Sequence, residues 1–555
     1  MKFMILKPCA KALGFFIFLF TLSGIAQTTL TAEEWRQDLD FLHTAVHNDY
    51  PFLFKKISAA DWDAKVKDLH SAIPQMEQHE ILIGLTKLVA SFEYGHTLLS
   101  LRQNQVPLHR LPLVLYHFDD GIYITGVQKN YKNLLGARII SIEDMPIEKV
   151  LERVRPVIPA ENDQFVKGYG INYPTIPEVL HAQGVTGELK LELSLQLEKD
   201  GKMFEEIITA MPWEEIPRQY GMIVPGKRWA GVRDVSSTPL YLKDLDKIYY
   251  FEYLPEQKTV YVRHSQIQDQ EGEDIPTFYA RLFDFIENNE VEKLILDVRL
   301  NGGGNNYKNK PIVTGIIANK KINQPGKFMV IIGRRTFSAC QNLVNELHTY
   351  TNAIFVGEPT GENLNFYGDN RPVTLPNSEI NAYLSFAWWQ DKPQWENRPW
   401  LAPQIATGMT FEQYRSNQDP ALEAALAFDN PDFITDPMAH LTRLYTAGKF
   451  EEVQSEALRM VKDPAYKFYD FEGEFNSAGY QLLDANDLEG AIGVFGMNTE
   501  FFPDSANTWD SLAEAYWRAG DKLKAEEYYN KAIGMDPDGA VGANAKEMLK
   551  NMKSE

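Results

Sequence analysis

Between about residues 247 and 431, short apolar segments alternate with segments whose apolar residues recur at helical spacing. Four of the apolar segments have the length and composition of buried strands, namely 260–262, 294–298, 328–332 and 354–356. Helical patterns occur at 278–288 and 340–347. Strands that are separated by helices are typical of a layered α/β domain. The sequence therefore predicts an α/β multidomain protein with such a domain as its central unit.

Other parts of the chain have different patterns, and 555 residues exceed what one domain of about 100–200 residues holds. Trp35, Leu39, Leu42 and Val46 recur at helical spacing, whereas residues 112–211 contain short alternating strand patterns. We divide the chain into a signal peptide at 1–26, an N-terminal helical region at 27–110, a β-rich domain at 111–212, the α/β core at 213–432 and a helical tail at 433–555.

The N-terminus has the pattern of a secretory signal peptide. Three lysines precede an apolar run at 13–22, and Gly24 and Ala26 place small residues before a cleavage site. The apolar run is well short of the roughly 20 residues that a bilayer span needs, so we predict no stable membrane span. The mature protein is expected to be exported, to the periplasm or the extracellular space.

The tail contains an internal repeat with a period of 34 residues. Phe475, Leu482, Asn486, Ala491 and Pro503 recur as Trp509, Tyr516, Gly520, Ala525 and Pro537. Aromatic and small residues at this period resemble tetratricopeptide repeats, in which paired helices stack on their neighbours. We expect the repeats to bind a protein partner; an unrelated helical cap is the alternative.

Composition excludes several classes of function. Acidic residues outnumber basic ones by 76 to 55, so the net charge is −21 and nucleic acid is not an expected partner. Two cysteines, Cys9 and Cys340, exclude a disulfide scaffold and a Cys-rich zinc module. His43 and His47 lie one helical turn apart, as two metal ligands can, but no third ligand follows at a familiar spacing. We predict neither a metal nor a cofactor.

Two segments of the α/β core carry candidate catalytic groups. The strand at 294–298 ends in a turn that contains Gly302 and Gly303, where backbone N–H groups can approach a ligand. About 35 residues later, Ser338 stands at the start of a helix, next to free N–H groups and the positive end of the helix dipole. The N–H of Ala339 and one from the glycine turn would form an oxyanion hole beside such a nucleophile. A tight turn and an N-cap serine are the structural alternatives.

These two segments, 297–304 and 336–339, resemble those of the tail-specific (C-terminal processing) serine peptidases. The sequence Val-Gly-Glu-Pro-Thr-Gly at 356–361 adds to the resemblance, 134–142 looks like a turn and strand of the family's PDZ-like domain, and 419–423 looks like the end of its protease domain. The resemblance covers about residues 33 to 429. It implies a ClpP/crotonase-like peptidase core preceded by a PDZ-like β-rich domain.

The general base divides that family into two branches. One branch pairs its serine with a lysine about 25 residues downstream; here Asn363 stands near that place, and no lysine occurs between Lys327 and Lys392. The other branch, similar to the tricorn protease core, takes a histidine from the N-terminal helical region. The sequence Tyr-Gly-His-Thr at 94–97 matches that element and makes His96 the expected base.

The tricorn-like branch also uses a glutamate in a late Glu-Asn element, which Glu396 and Asn397 resemble. The resemblance therefore implies Ser338, His96 and Glu396 as catalytic residues, with Gly303 and Ala339 as the oxyanion hole. One departure is visible, because those relatives have a serine before the histidine and this chain has Gly95. The link between His96 and the acid would thus lack one hydroxyl.

The expected function is that of a secreted or periplasmic serine peptidase that hydrolyses extended polypeptides through a Ser-His acyl-enzyme mechanism. The substrate is expected to bind by strand addition beside the β-rich domain. A catalytically inactive peptide- or lipophile-binding protein on the same scaffold is the alternative. A crotonase-like thioester enzyme, which needs the oxyanion hole but no serine nucleophile, is a third class. No Gly-x-Ser-x-Gly elbow occurs, which argues against an α/β-hydrolase esterase.

Overall fold

The computed structural model describes residues 29–103, 105–216, 226–430 and 433–554. The predicted signal peptide at 1–26 lies outside the described residues. Within these ranges, no helix combines the length and the apolar character that crossing a bilayer requires.

The N-terminal region is helical, as predicted. Its helices are α1 (Ala32–Asp49), α2 (Ala59–Ala72) and α3 (Gln78–Ala90), followed by the short strands β1 (Leu98–Leu99) and β2 (His109–Arg110). The side chain of Thr31 accepts a hydrogen bond from the N–H of Glu34 and starts α1 with a capping box. The apolar face of α1, including Trp35 and Leu42, is fully buried.

The second region is built around a seven-stranded sheet. Its elements are β3 (Leu113–Phe118), β4 (Gly121–Gln128), β5 (Arg138–Ile142), β6 (Met145–Pro146), α4 (Ile147–Val154), α5 (Asp163–Phe165), α6 (Pro177–Ala182), β7 (Glu192–Lys199), β8 (Lys202–Thr209), β9 (Met211–Pro212) and β10 (Trp229–Gly231). The main path of the sheet runs β10-β4-β5-β7-β8, and β3 and β6 pair with β4 and β5. The expected boundary at residue 212 therefore cuts off β10, which pairs with β4 although it follows that boundary.

One apolar core joins this sheet to the N-terminal helices. Trp62 of α2, Leu88 of α3, Ile139 of β5 and Leu195 of β7 belong to the same buried cluster. The helical region and the β-rich region are thus packed as a single unit.

The α/β core follows the predicted alternation of strands and helices. Its elements are β11 (Tyr249–Leu254), β12 (Thr259–His264), α7 (Ile275–Asn288), β13 (Lys293–Asp297), α8 (Lys310–Ala318), β14 (Phe328–Ile332), α9 (Ala339–Tyr350), β15 (Ile354–Gly357), β16 (Asn365–Thr374), β17 (Asn381–Gln390), β18 (Ile405–Ala406), α10 (Phe411–Arg415) and α11 (Pro420–Ala427). Six strands form one sheet in the order β11-β12-β13-β14-β15-β18, parallel except for the β11–β12 pair. Helices α7, α8 and α9 cover one face of this sheet, and α11 packs against the other.

The hairpin of β16 and β17 connects the core to the N-terminal region. Strand β1 pairs with β17, with Leu98 opposite Tyr383 and Leu99 opposite Ala382. A segment from the first hundred residues is thereby held beside the α/β core.

The tail consists of paired helices: α12 (Pro437–Thr446), α13 (Phe450–Lys462), α14 (Phe471–Asp484), α15 (Leu488–Phe501), α16 (Ala506–Arg518), α17 (Lys522–Met535) and α18 (Ala540–Ser554). Small residues of the predicted repeat, Ala491 and Ala525, are fully buried where helices of a pair meet. Helices α12 and α13 supply the stacking neighbour of α14, because Leu441, Ala457 and Phe475 share one cluster.

Candidate active site

Ser338 lies at the start of α9 in a conformation that side chains rarely adopt. Its φ is 58° and its ψ is −130°, and it is the N-cap residue of the helix. A non-glycine residue held at positive φ is strained and persists only where its surroundings enforce it. Gly303 contributes to that environment, because a Cβ atom on it would lie 2.5 Å from the Cβ of Ser338. The turn around Gly303 therefore lies directly against Ser338.

His96 meets Ser338 although the two are 242 positions apart in sequence. The His96 Nε2 lies 2.9 Å from the Ser338 Oγ, which is the hydrogen-bond reach required of a general base. The neighbouring Thr97 is fully buried, and its hydroxyl donates to the Ser385 Oγ of β17 at 2.9 Å. The Asn370 side-chain amide donates to the His96 carbonyl at 2.8 Å. The β16–β17 hairpin thus holds the histidine in place.

The imidazole of His96 is sandwiched between two aromatic rings. Phe337 stacks on it at 4.6 Å between centroids and Phe366 at 6.0 Å, with interplanar angles of 15° and 13°. Burial lowers the pKa of His96 below its usual value, because a charged imidazolium is poorly solvated there. Packing therefore orients the ring, and burial favours its neutral form, which is the form that a base needs.

The other ring nitrogen of His96 faces Glu362. The His96 Nδ1 lies 3.1 Å from the Glu362 Oε1 in a close polar contact whose geometry is not that of a hydrogen bond, and neither atom has a hydrogen-bond partner among the described residues. The second oxygen of Glu362 accepts a hydrogen bond from the backbone N–H of Ser338. Glu362 is completely buried, which raises the pKa of its carboxyl well above the ordinary value. The structure thus assembles a Ser-His-Glu arrangement through Glu362.

The expected role of Glu396 is not supported. Glu396 is exposed on the short 3₁₀ turn Gln394–Glu396, and its charge acts on Lys392 and Glu474. Arg398, two residues further along the chain, forms an ion pair with Glu474 of the helical tail. Glu362, and not Glu396, is the carboxyl group that the structure places beside the His96 Nδ1.

Glu362 was missed by sequence reasoning although a signal was present. It immediately follows the segment 356–361 and precedes Asn363, which stands near the lysine position of the other branch. An acidic residue that ends a buried-looking segment, next to the position of the base in the other branch, is a candidate for the acid of the triad. Sequence spacing alone gave no reason to prefer it to the late Glu-Asn element.

A second carboxyl group, that of Glu161, lies beside Glu362. The Gly95 N–H donates to the Glu161 Oε1 at 2.9 Å, and the Asn363 N–H donates to its Oε2 at 3.2 Å. Ligand-type atoms of His96, Glu161 and Glu362 lie within 4.8 Å of one another. Burial, and then the charge of Glu362, raises the pKa of Glu161 to about 7. Because both imidazole nitrogens already face partners, we interpret this group as a proton-handling cluster.

Gly95 is required by packing where the relatives named above have serine. A Cβ on Gly95 would lie 2.7 Å from the Phe165 ring and 2.8 Å from the Phe337 ring. Contacts below 3.0 Å force neighbours to move, and both rings pack around the active site. A side chain at position 95 would therefore require Phe165 and Phe337 to move from the positions that they occupy here.

The two expected oxyanion-hole donors differ in availability. The Gly303 N–H donates to the Asn301 Oδ1 at 3.0 Å, so it is used within the turn and the expected role of Gly303 as a donor is not supported. The Ala339 N–H, in the first turn of α9, has no acceptor among the residues that the structure describes. The lack of a side chain at Gly303 instead leaves space beside the Ala339 N–H, since a Cβ there would lie 2.9 Å from the Ala339 N.

A buried ion-pair network fixes the glycine turn to the rest of the core. Arg299 binds Asp419 through two contacts, at 2.7 and 3.1 Å, and also lies 2.8 Å from Asp297. All three side chains are nearly inaccessible to solvent. The motif at 297–304 and the motif at 419–423, more than a hundred positions apart, are thus part of one structure.

A cavity of about 420 Å³ opens next to the catalytic pair. His96, Phe165, Tyr169, Gly302, Arg335 and Phe337 are among the residues that line it. The walls are largely aromatic, and Arg335 is held by the Gly168 carbonyl at 2.8 Å and by the ring of Tyr169. The cavity is suited to an apolar or aromatic side chain that enters beside the serine.

Comparison with solved structures identifies peptidases as structural neighbours. A crystal structure of a CPAF mutant is 10% identical, with a TM-score of 0.51, and the match covers 74% of this chain and all of that one. The photosystem II D1 C-terminal processing protease is 13% identical, with a TM-score of 0.31 over 72% of this chain and 97% of that one. The tricorn protease is 14% identical, with a TM-score of 0.36 over 72% of this chain and 36% of that one. At such identities the likeness concerns the fold alone.

The helical tail matches a known repeat. The tetratricopeptide repeat family matches residues 506–538, which confirms the second of the repeats predicted from the 34-residue period. The Protein CTR9 homolog of Arabidopsis thaliana is 28% identical over 99 residues, which is 18% of this chain and 9% of that protein. The chain thus spans only a small part of the length of this relative.

Proposed function

We propose that this chain is an exported serine endopeptidase of the C-terminal processing type, with a tricorn-like histidine base. The single observation that carries the proposal is the contact of the His96 Nε2 with the Ser338 Oγ at 2.9 Å, with Glu362 on the opposite side of the ring. A nucleophile, a base and an orienting acid in this order define the triad logic of acyl transfer.

In the proposed reaction, the Ser338 Oγ attacks the carbonyl carbon of a peptide bond while His96 takes its proton. Glu362 stabilises the resulting imidazolium, and the Ala339 N–H donates to the oxygen on which negative charge develops. The imidazolium then gives its proton to the leaving amine as the C–N bond breaks. Water, deprotonated by His96, hydrolyses the acyl-enzyme and releases Ser338.

The substrate that fits the site is an extended polypeptide. The aromatic cavity beside the serine accepts one side chain, and β1 is an edge strand of its sheet with Leu98 lining the same cavity. A peptide that adds to β1 would pass His96 with its backbone paired. The seven-stranded domain takes the place of the PDZ-like domain in this proposal, and the ClpP/crotonase-like core is the six-stranded sheet with its helices.

Two further parts of the proposal concern location and partners. The signal-peptide pattern at 1–26 supports export to the periplasm or beyond. The stacked helices at 437–554 support binding of a protein partner, because repeats of this kind present an extended surface.

A fluorophosphonate probe tests the catalytic claim directly. We expect the probe to label wild-type protein at Ser338 and to leave Ser338→Ala unlabelled, with hydrolysis of peptides lost by about 10⁴-fold or more. Folded wild-type protein that is neither labelled nor active would contradict the proposal and favour a binding protein on this scaffold. Activity retained in Ser338→Ala would favour thioester chemistry instead.

A further inference from the structure

A second cluster of ligand-type side chains lies far from the catalytic residues in sequence, on the first two helices. His43 and His47 occupy successive turns of α1, and Asp63 projects from α2. The His43 Nε2 lies 3.0 Å and the His47 Nε2 2.7 Å from the same oxygen of Asp63. Three potential ligand atoms, from two elements, thus converge on one point.

We propose that His43, His47 and Asp63 form a zinc-binding site. Two imidazole nitrogens and one carboxylate oxygen are a donor set that Zn²⁺ commonly uses. With metal–ligand bonds of about 2.0–2.1 Å, tetrahedral geometry places neighbouring ligand atoms roughly 3.3 Å apart. The observed separations of 3.0 and 2.7 Å are shorter by a few tenths of an ångström. To admit the ion, the Asp63 oxygen and the two imidazole nitrogens must move apart by that amount.

The two imidazoles are held for this role by aromatic packing. Trp62, which is fully buried, stacks on the ring of His43 at 5.8 Å and meets the ring of His47 edge-on at 6.2 Å. Phe54 lies on the ring of His47 at 5.2 Å. Fixed rings reduce the entropy that a metal must overcome to order its ligands.

Solvent reaches the cluster, so a metal can enter and keep water as a fourth ligand. The side chains of His43, His47 and Asp63 are 37%, 32% and 45% exposed. Three protein ligands with one open position give the composition of an accessible rather than a closed zinc site. The ion would join α1 to α2 in the region whose core also supports the chain that carries His96.

Zinc binding tests this site independently of peptidase activity. Zinc chloride is titrated by calorimetry into tag-free, EDTA-treated full-length protein in a non-coordinating buffer. We expect a binding event that His47→Gln and Asp63→Asn each weaken by at least about tenfold, since even outer-shell changes have effects of that size. Circular dichroism verifies that both variants are folded.

Two control variants identify the location of the ion. His70→Gln changes another partly exposed histidine of α2, close to Asp40 and outside the cluster, and should leave zinc binding unchanged. His96→Gln disrupts the catalytic cluster and should also retain the event. Cobalt(II) provides a second readout, because a tetrahedral site gives intense visible bands that His47→Gln should abolish.

Two results would overturn the proposal. One is equal zinc affinity in wild-type protein, His47→Gln and Asp63→Asn. The other is no binding by wild-type protein at about 0.1 mM zinc, a hundredfold above a micromolar dissociation constant.

Discussion

Replacing Glu362 with glutamine tests the acid that the structure assigns to the triad. Glutamine has nearly the same shape, and its oxygen can still accept the Ser338 N–H. Its amide group would then face the His96 Nδ1, across the gap that is 3.1 Å in the wild type. An amide donor there requires Nδ1 to be the acceptor, so the proton moves to Nε2 and the histidine can no longer receive the serine proton.

The size of the effect follows from the same distance. An imidazolium and a carboxylate 3.1 Å apart interact by about 5 kcal/mol at an effective dielectric constant of about 20. Each 1.4 kcal/mol of transition-state stabilisation corresponds to about a tenfold change in rate. We therefore expect Glu362→Gln to lower kcat/KM by roughly 10³- to 10⁴-fold.

Hydrolysis of an internally quenched peptide measures this loss, and Glu396→Gln is the matched control. Because Glu396 is exposed and acts on Lys392, its replacement should change kcat/KM by less than about twofold. A thermal melt verifies that the Glu362 variant is folded. Loss of activity in Glu396→Gln together with near-normal activity in Glu362→Gln would refute the assignment.

Three further substitutions have defined outcomes. Glu161→Gln removes a carboxyl group whose negative charge raises the pKa of His96, so the acidic limb of the pH profile of kcat/KM should move to lower pH; an upward shift would contradict the reasoning. Gly95→Ser places a Cβ 2.7 Å from the Phe165 ring and should reduce the free energy of unfolding by about 1–3 kcal/mol in a urea titration, whereas an unchanged midpoint would show that the rings yield freely. Thr97→Val breaks the buried hydrogen bonds with Ser385, which should cost about 1–3 kcal/mol of stability and lower kcat more than it raises KM; steady-state kinetics with an unchanged kcat would argue against this positioning role.

The parts of the structure that could be predicted from the sequence are those that depend on local pattern. Helical spacing identified α1, and the 34-residue period identified the paired helices of the tail. Ser338 was singled out by the strand, turn and helix pattern around it, and His96 by the resemblance of residues 94–97 to a family motif. These features depend on residues that are close together in the sequence, so one sequence is enough to predict them.

The parts that could not be predicted depend on contacts between distant segments. Glu396 matches a motif, but the loop that contains it is bound to the tail by the ion pair of Arg398 with Glu474. No local sequence pattern predicts that ion pair. The Gly303 N–H was an expected oxyanion-hole donor, yet it donates to the side-chain oxygen of Asn301, and the sequence does not specify the orientation of that side chain. The expected boundary at residue 212 placed strand β10 in the α/β core. Its pairing with β4, about a hundred residues earlier in the chain, could not be inferred from local patterns.

The pairing of β1 with β17 explains how His96 from one region reaches Ser338 in another. Helix α3 ends at Ala90, so no helix of the first region carries His96 directly. Instead the chain after α3 enters a sheet with the β16–β17 hairpin, and Thr97 is bonded to that hairpin through Ser385. The hairpin begins at Asn365, three residues after Glu362, so the segment that contacts His96 continues directly from Glu362. The N-terminal region is therefore part of the proposed active site, and a variant that weakens the β1–β17 contact should lose peptide hydrolysis before it loses the α/β core.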